Sequence, residues 1–239
     1  MKDETLYATQ WNTSAEFFYN NGYYEWMVSK LQSYNTVLEV GCGTGYSTLA
    51  LAEKGHKVIA IDKNIACIEN AKQLILSKVP DLRENITFFH GDVAIDEVRE
   101  TIEKSYHYDA VLCWNVGTYW NRQMIEHYLP YMLEYGLTHQ QILDNPESSY
   151  SELILWDACR LAQTKGIDIH IIDRGLEVIN EDTDPYYRAL KKEFSFKEIE
   201  YDNLQAKSVS SGGRILSTHG NPNRESLMDI VFISVLLKH

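Results

Sequence analysis

Glu39-Val-Gly-Cys-Gly-Thr-Gly45 follows directly on the apolar run Thr36-Val-Leu-Glu-Val40 and opens a segment of helical character, Thr44 to Lys54, with Gly55 placed as a helix stop. Closely spaced glycines let the backbone turn tightly between a strand and a helix. A ligand then reaches main-chain N–H groups at the helix N-terminus. The common dinucleotide-binding spacing is G-x-G-x-x-G; here the third glycine comes one place earlier, giving Gly41, Gly43 and Gly45, with Glu39 two positions before the first. A carboxylate at that place suits a cationic or hydrogen-bond-donating ligand better than a pyrophosphate, and it disfavours a nicotinamide dinucleotide. The plainer alternative is a tight strand–helix turn that binds nothing.

Downstream of the turn, apolar runs alternate with helical patterns. Lys57-Val-Ile-Ala-Ile61 reads as a second strand ending on Asp62, 21 residues after Gly41. An acidic residue at this place in nucleotide-binding α/β folds accepts hydrogen bonds from ribose hydroxyls; the alternative is an N-cap for the helix over Asn64 to Lys78. Ile86-Thr-Phe-Phe89 is a third strand leading into His90-Gly91-Asp92-Val93, where Asp92 either reads the edge of an adenine or caps a helix over Val93 to Lys104. Asp109 to Trp114 is a fourth strand. Strands separated by helices of 10–15 residues imply βαβ units and a parallel sheet, hence an α/β fold.

The rhythm then breaks. Between Asn115 and Gly166 two helical patterns fit where one suffices: about Gln123 to Tyr135, with Pro130 inside, and Glu152 to Thr164, with Ser149 and Glu152 as a capping box. Ile167 to Ile172, Lys197 to Tyr201 and Asp229 to Leu237 complete seven strands, with a helix over Pro185 to Phe194. A long turn-rich connection over residues 208–223 precedes the last strand. The expectation is one domain over residues 1–239, with an aromatic helical segment at about 1–33 and an inserted helical region at about 115–150.

Composition agrees with a single globular unit: 239 residues, 44% apolar and 23% charged, enough to bury a core and too apolar for a disordered chain. The net charge of −12 works against polyanions, because nucleic-acid binding is driven by clustered Lys and Arg. Met1 to Leu6 lacks the apolar stretch of a signal peptide, and the run Ile230 to Leu237, broken by Ser234, is far short of the ~20 residues of a membrane span. Cys42, Cys67, Cys113 and Cys159 form no CxxC pair, so reduced thiols in a cytoplasmic protein are expected.

Over about residues 34–120 these features together resemble the class I S-adenosylmethionine-dependent methyltransferases: Glu39-Val-Gly-Cys-Gly-Thr-Gly45, Asp62, Gly91-Asp92-Val93 and the strand Asp109 to Trp114. The resemblance implies a Rossmann-like seven-stranded sheet, mostly parallel with an antiparallel last strand and helices on both faces. It implies S-adenosyl-L-methionine as cofactor. Its methionine part would lie on Gly41, Gly43 and Gly45, its ribose on Asp62 and its adenine on Asp92 and Val93. Glu39, Cys42, Lys63 and Asn115 complete the implied cofactor-binding set.

Departures from the family's subgroups narrow the expected substrate. Cys113-Trp-Asn-Val-Gly-Thr-Tyr-Trp120 lacks the proline motif that many base-modifying amino-methyltransferases carry after the fourth strand, and Arg174 beside Asp173 would repel a divalent cation, so no catalytic metal is expected. Asn115, Trp114, Tyr119 and Trp120 should rim the site, with Arg214, His219 and Arg224 arriving from the last connection. Tyr119 and His219 are the candidate catalytic residues; a solvated loop histidine is the alternative for His219. The early aromatics, Tyr7 to Trp26, either cover the pocket or pack as core. The reading is a cytoplasmic methyltransferase acting on a neutral or cationic small molecule by in-line displacement, with no nucleic acid or membrane partner. The alternatives are a non-catalytic S-adenosylmethionine-binding module or a protein methyltransferase.

Overall fold

The computed structural model describes residues 2–116, 124–184, 186–209 and 227–239. The chain begins with α1 (Lys2–Asn20) and α2 (Tyr23–Val28), then runs β1 (Thr36–Val40), α3 (Tyr46–Glu53), β2 (Lys57–Asp62), α4 (Ile65–Lys78), β3 (Ile86–His90), α5 (Asp96–Ser105) and β4 (Ala110–Trp114). It continues through α6 (Met124–Tyr135), α7 (His139–Asp144), α8 (Pro146–Lys165), β5 (Asp168–Gly175), α9 (Tyr187–Glu193), β6 (Glu198–Ser208) and β7 (Met228–Lys238). The seven strands form one sheet in the order β3-β2-β1-β4-β5-β7-β6. The first five are parallel, and β7 runs antiparallel to both β5 and β6. This is the expected Rossmann-like sheet with its reversed last strand.

Alternation along the strands builds two cores, one on each face. Leu38, Val40, Val111 and Cys113 face a cluster closed by α5 to α9; Val37, Ala110, Leu112 and Trp114 face one closed by α1 to α4. Ser234, which interrupts the apolar run of β7, is satisfied within the second layer. The Trp114 Nε1–H donates to His170 Nδ1 at 3.1 Å, which leaves the His170 Nε2–H to donate to Ser234 Oγ at 2.8 Å. Burial pushes the His170 pKa down to about 3, so the ring is neutral and fixed in that tautomer.

Three local expectations are corrected. The aromatic N-terminus is one long helix, α1, followed by the short α2, rather than several short pieces. Phe18 is fully buried with its ring centroid 5.0 Å from that of Phe232, so α1 is part of the second core and not merely a cover. In the insertion, Ser149 does not cap: its hydroxyl donates back to the Asn145 carbonyl inside α8, whose cap is Asn145 with Pro146 in the first turn. The capping box belongs instead to Thr138 and Gln141, at the start of α7. Lastly, β6 runs well past Tyr201, because it is an edge strand paired only to β7; its polar residues Asp202, Asn203, Gln205 and Lys207 hide a strand from any apolar-run reading.

Strand order reverses between β1 and β4, so the crevice for a ligand opens where these two strands end, at the turn after Val40 and at Asn115.

Candidate active site

The turn after β1 is held from two sides. The Gly41 and Cys42 N–H groups donate to the Ile61 carbonyl at 2.8 and 2.9 Å, and the Gly43 N–H donates to Asp62 Oδ2 at 2.9 Å. Two of the glycines are obligatory for packing as well as for backbone shape. A Cβ on Gly43, at φ +54°, would fall 2.3 Å from Trp11 Nε1, and one on Gly45, at φ +89°, 2.8 Å from the Ala71 main chain. Gly45 therefore seats α3 against α4, whereas Gly41 and Gly43 line the cleft.

Asp62 closes β2 with its carboxylate buried between two backbone donors, Gly43 on Oδ2 and Asn64 on Oδ1 at 2.8 Å. Asn64, not Asp62, caps α4, its Oδ1 accepting from Ala66 and Cys67. Burial raises the Asp62 pKa, and the two backbone donors and the Lys63 ammonium oppose that rise. Asp92 ends the β3 connection. Its Oδ1 accepts from the Ala94 N–H at 2.9 Å, while Oδ2 accepts from Tyr128 at 2.5 Å and from Tyr150 at 2.6 Å. The local turn role and the cleft position thus coexist in one side chain. Lys63 Nζ lies 3.4 Å from the centroid of the Tyr150 ring, and burial pushes its pKa down to about 8 against the pull of Asp92 and Asp62.

Asn115 follows β4 with φ +52°. Its N–H donates to the Ile172 carbonyl at 2.7 Å, which fixes the residue over β5. Both polar atoms of its side chain are buried with no hydrogen-bond partner. A strained amide with both polar atoms unsatisfied, at the topological switch point, is suited to hold a ligand.

Of the expected site residues, Gly41, Gly43, Asp62, Lys63, Asp92, Val93 and Asn115 line one cleft, together with Tyr7 and Trp11 of α1, Val116, Tyr150 and Ile154. Three do not. Cys42 is buried behind the turn, and Gly45 packs on Ala71. Glu39 is buried, with Oε2 accepting from Thr48 Oγ1 at 2.6 Å and Oε1 lacking a hydrogen-bond partner. Tyr119 and His219, with Trp120, Arg214 and Arg224, lie outside the described residues. His90 anchors its strand end through Nε2 to the Lys63 carbonyl, and His127 is exposed on α6. Tyr128, Tyr150 and Ile154 were not foreseen; the expected helices held Tyr128 and Ile154, but Tyr150 lies in the first turns of α8, ahead of the expected start at Glu152, and periodicity did not give the face that meets Asp92.

The residues fit S-adenosylmethionine: a buried carboxylate for the ribose, the apolar Ile61, Val93 and Ile154 for an adenine, and an unsatisfied amide at the other end. The cleft measures about 60 Å³, several-fold below the ~300–1,000 Å³ of ligand pockets, with Trp11, packed over Gly43, and Lys63 among its walls. A second cleft of about 370 Å³ shares Asn115 and Val116 with the first and continues along α8 to Tyr186. Among the described residues, no three His, Cys, Asp or Glu side chains cluster as a metal site, and no helix is long and apolar enough to cross a membrane.

Comparison with known proteins bears on the same segment. Residues 37–134 match the family described as a methyltransferase domain. Magnesium-protoporphyrin O-methyltransferase of Rhodobacter capsulatus is 40% identical over 58 residues, 24% of this chain and 25% of that relative, so the match spans about a quarter of its length. Among solved structures, PH1948 of Pyrococcus horikoshii superposes with a TM-score of 0.51 at 14% identity, over 91% of this chain and 83% of that one. The methyltransferase domain of bacterial CtHen1-C gives 0.50 at 16% identity, over 92% and 98%. At such identities these two structures speak for the fold alone. The matched segment carries the glycine turn, Asp62 and Asp92: residues 37–134 are similar to a methyltransferase domain, and the whole sheet, with its reversed last strand, shares the fold of the two solved structures.

Proposed function

We propose that the chain transfers the methyl group of S-adenosylmethionine to a small-molecule acceptor held in the second cleft. The observation that carries this reading is the shared wall: Asn115 and Val116 border both clefts at the end of β4, so two ligands would meet there. The cofactor supplies an electrophilic methyl on a sulfonium. What the protein adds is alignment and exclusion of water, which together supply much of the acceleration in a bimolecular displacement. Asp62 and the Gly43 backbone hold one ligand, Asn115 orients its reacting end, and Trp11 over Gly43 closes the cleft from α1.

A small-molecule acceptor suits the net charge of −12, which repels polyanions at long range. Magnesium-protoporphyrin O-methyltransferase, one of the curated relatives, is named for such an acceptor. Four buried free cysteines suit a reducing cytoplasm. Calorimetry should show S-adenosylmethionine binding and no comparable binding of NAD; tighter NAD binding would sink the reading. With methyl-labelled cofactor and a cell extract, enzyme-dependent label should collect in the small-molecule fraction. Label chiefly in nucleic acid or protein would replace the substrate, and binding without any transfer would make the chain a cofactor-binding module.

A further inference from the structure

The second cleft contains a cation that the proposed chemistry leaves unused. Arg174 extends from the carboxyl end of β5 onto the face covered by α1, with its guanidinium 5.4 Å from the centroid of the Trp11 ring and 6.0 Å from that of Phe18. Stacking on rings holds the planar fork in place without satisfying its N–H groups. Among the described residues it makes no hydrogen bond and no ion pair. The neighbouring Asp173 makes no ion pair with it, its carboxylate accepting from the Tyr187 hydroxyl at 2.9 Å, but its charge acts on the guanidinium through space and it lines the same cleft. A half-buried guanidinium with no directly bonded counter-charge has its N–H groups unsatisfied, and an anion of matching geometry would satisfy them. Beside it in the same cleft stands Asn115, whose buried amide also lacks a partner.

We propose that Arg174, with Asn115, binds a carboxylate group of the methyl acceptor. This rests on the reading of the second cleft as the acceptor site. A guanidinium fork pairs two parallel N–H groups with the two oxygens of a carboxylate, and the Asn115 amide adds a third donor. The group belongs to the acceptor and not to the cofactor because Arg174 lines the second cleft and does not line the first. Leu155 and Ile171 give that cleft an apolar wall for the body of the acceptor, and Glu152 stands along α8 on the same cleft. Two carboxylates, Asp173 and Glu152, share the cleft with Arg174, so a carboxylate would seat at the guanidinium fork itself, in place of the neutral or cationic acceptor expected from the net charge of −12.

The probe is 4-fluorobenzoate, with 4-fluorobenzamide as its neutral isostere, titrated by fluorine NMR into the full-length protein with and without S-adenosylhomocysteine. The wild type should prefer the carboxylate by about ten-fold or more, the scale of hydrogen bonds to a charged group. Arg174→Met should abolish the preference, and Arg174→Lys, which keeps charge and stem but not the fork, should retain part of it. S-adenosylhomocysteine affinity should stay within about two-fold in both variants, which also reports that they are folded. Equal binding of the two probes by the wild type would overturn the assignment. So would an Arg174→Met protein that keeps the preference, or one that loses S-adenosylhomocysteine affinity instead, which would give the guanidinium to the cofactor. If S-adenosylhomocysteine fails to bind the wild type, the methyltransferase reading falls, and the titration without it still tests Arg174.

Discussion

Replacing Asp62 by Ala should weaken S-adenosylmethionine binding by about 1.5–3 kcal/mol, a factor of roughly 10 to 150, the scale for hydrogen bonds to a charged group. Two effects contribute. A ribose held by the carboxylate would lose its acceptor, and the glycine turn loses the oxygen that holds the Gly43 N–H. Asp62→Asn should be nearly as harmful. The aspartate uses one oxygen for Gly43 and the other for Asn64, so an amide would set its NH₂ against one of those two donors. The contributions separate with 2′-deoxy-S-adenosylhomocysteine. If the carboxylate binds the ribose, removing the hydroxyl and removing Asp62 will cost little more together than either alone. Full additivity would mean that Asp62 acts only through the turn. Calorimetry on the four protein–ligand pairs decides.

Much of the fold was legible because it rests on local rules. Strand positions follow from short apolar runs, and the turn after β1 follows from three glycines whose φ values, +76°, +54° and +89°, are open to few other residues. The reversed β7 is the exception, for no residue in Met228–Lys238 records its direction; only the resemblance supplied it. What stayed hidden is what depends on contacts distant in sequence. Tyr128 and Tyr150 converge on one oxygen of Asp92 from α6 and α8, and nothing in either helix's pattern names that target. Arg174 was read as a reason against a metal, since its seat on Trp11 and Phe18 joins residues more than 150 positions apart. Glu39 was expected in the cleft from its spacing to Gly41. Strand alternation turns it instead to the α1–α4 face, where it meets Thr48.

The orientation of Glu39 leads to the second large effect, on stability against pH. Burial raises its pKa from 4.5 to about 7, a rise that the Ser47 and Thr48 hydroxyls reduce and the Asp62 charge increases. For a carboxyl whose folded pKa lies above its unfolded value, the stabilising contribution is complete below the unfolded value and is lost as pH rises through the folded one. The window is therefore about pH 4.5 to 7. The separation corresponds to about 3 kcal/mol at 1.36 kcal/mol per pH unit. Glu39→Gln keeps an acceptor for Thr48 and removes the ionisation. In urea titrations at pH 5 and pH 8, the wild type should lose about 3 kcal/mol more than the variant across that interval. Equal losses would show that Glu39 stays ionised throughout, its unpartnered Oε1 having found a donor. A cationic ligand group directed at that oxygen would have the same consequence by lowering the pKa. Repeating the wild-type series with saturating S-adenosylmethionine therefore distinguishes the two roles of this carboxylate. If Oε1 meets the cofactor's ammonium, the cofactor will stabilise the protein more at pH 8 than at pH 5, by up to the same ~3 kcal/mol. If Glu39 only braces α3, the slope of about pH 4.5 to 7 will persist unchanged with cofactor bound.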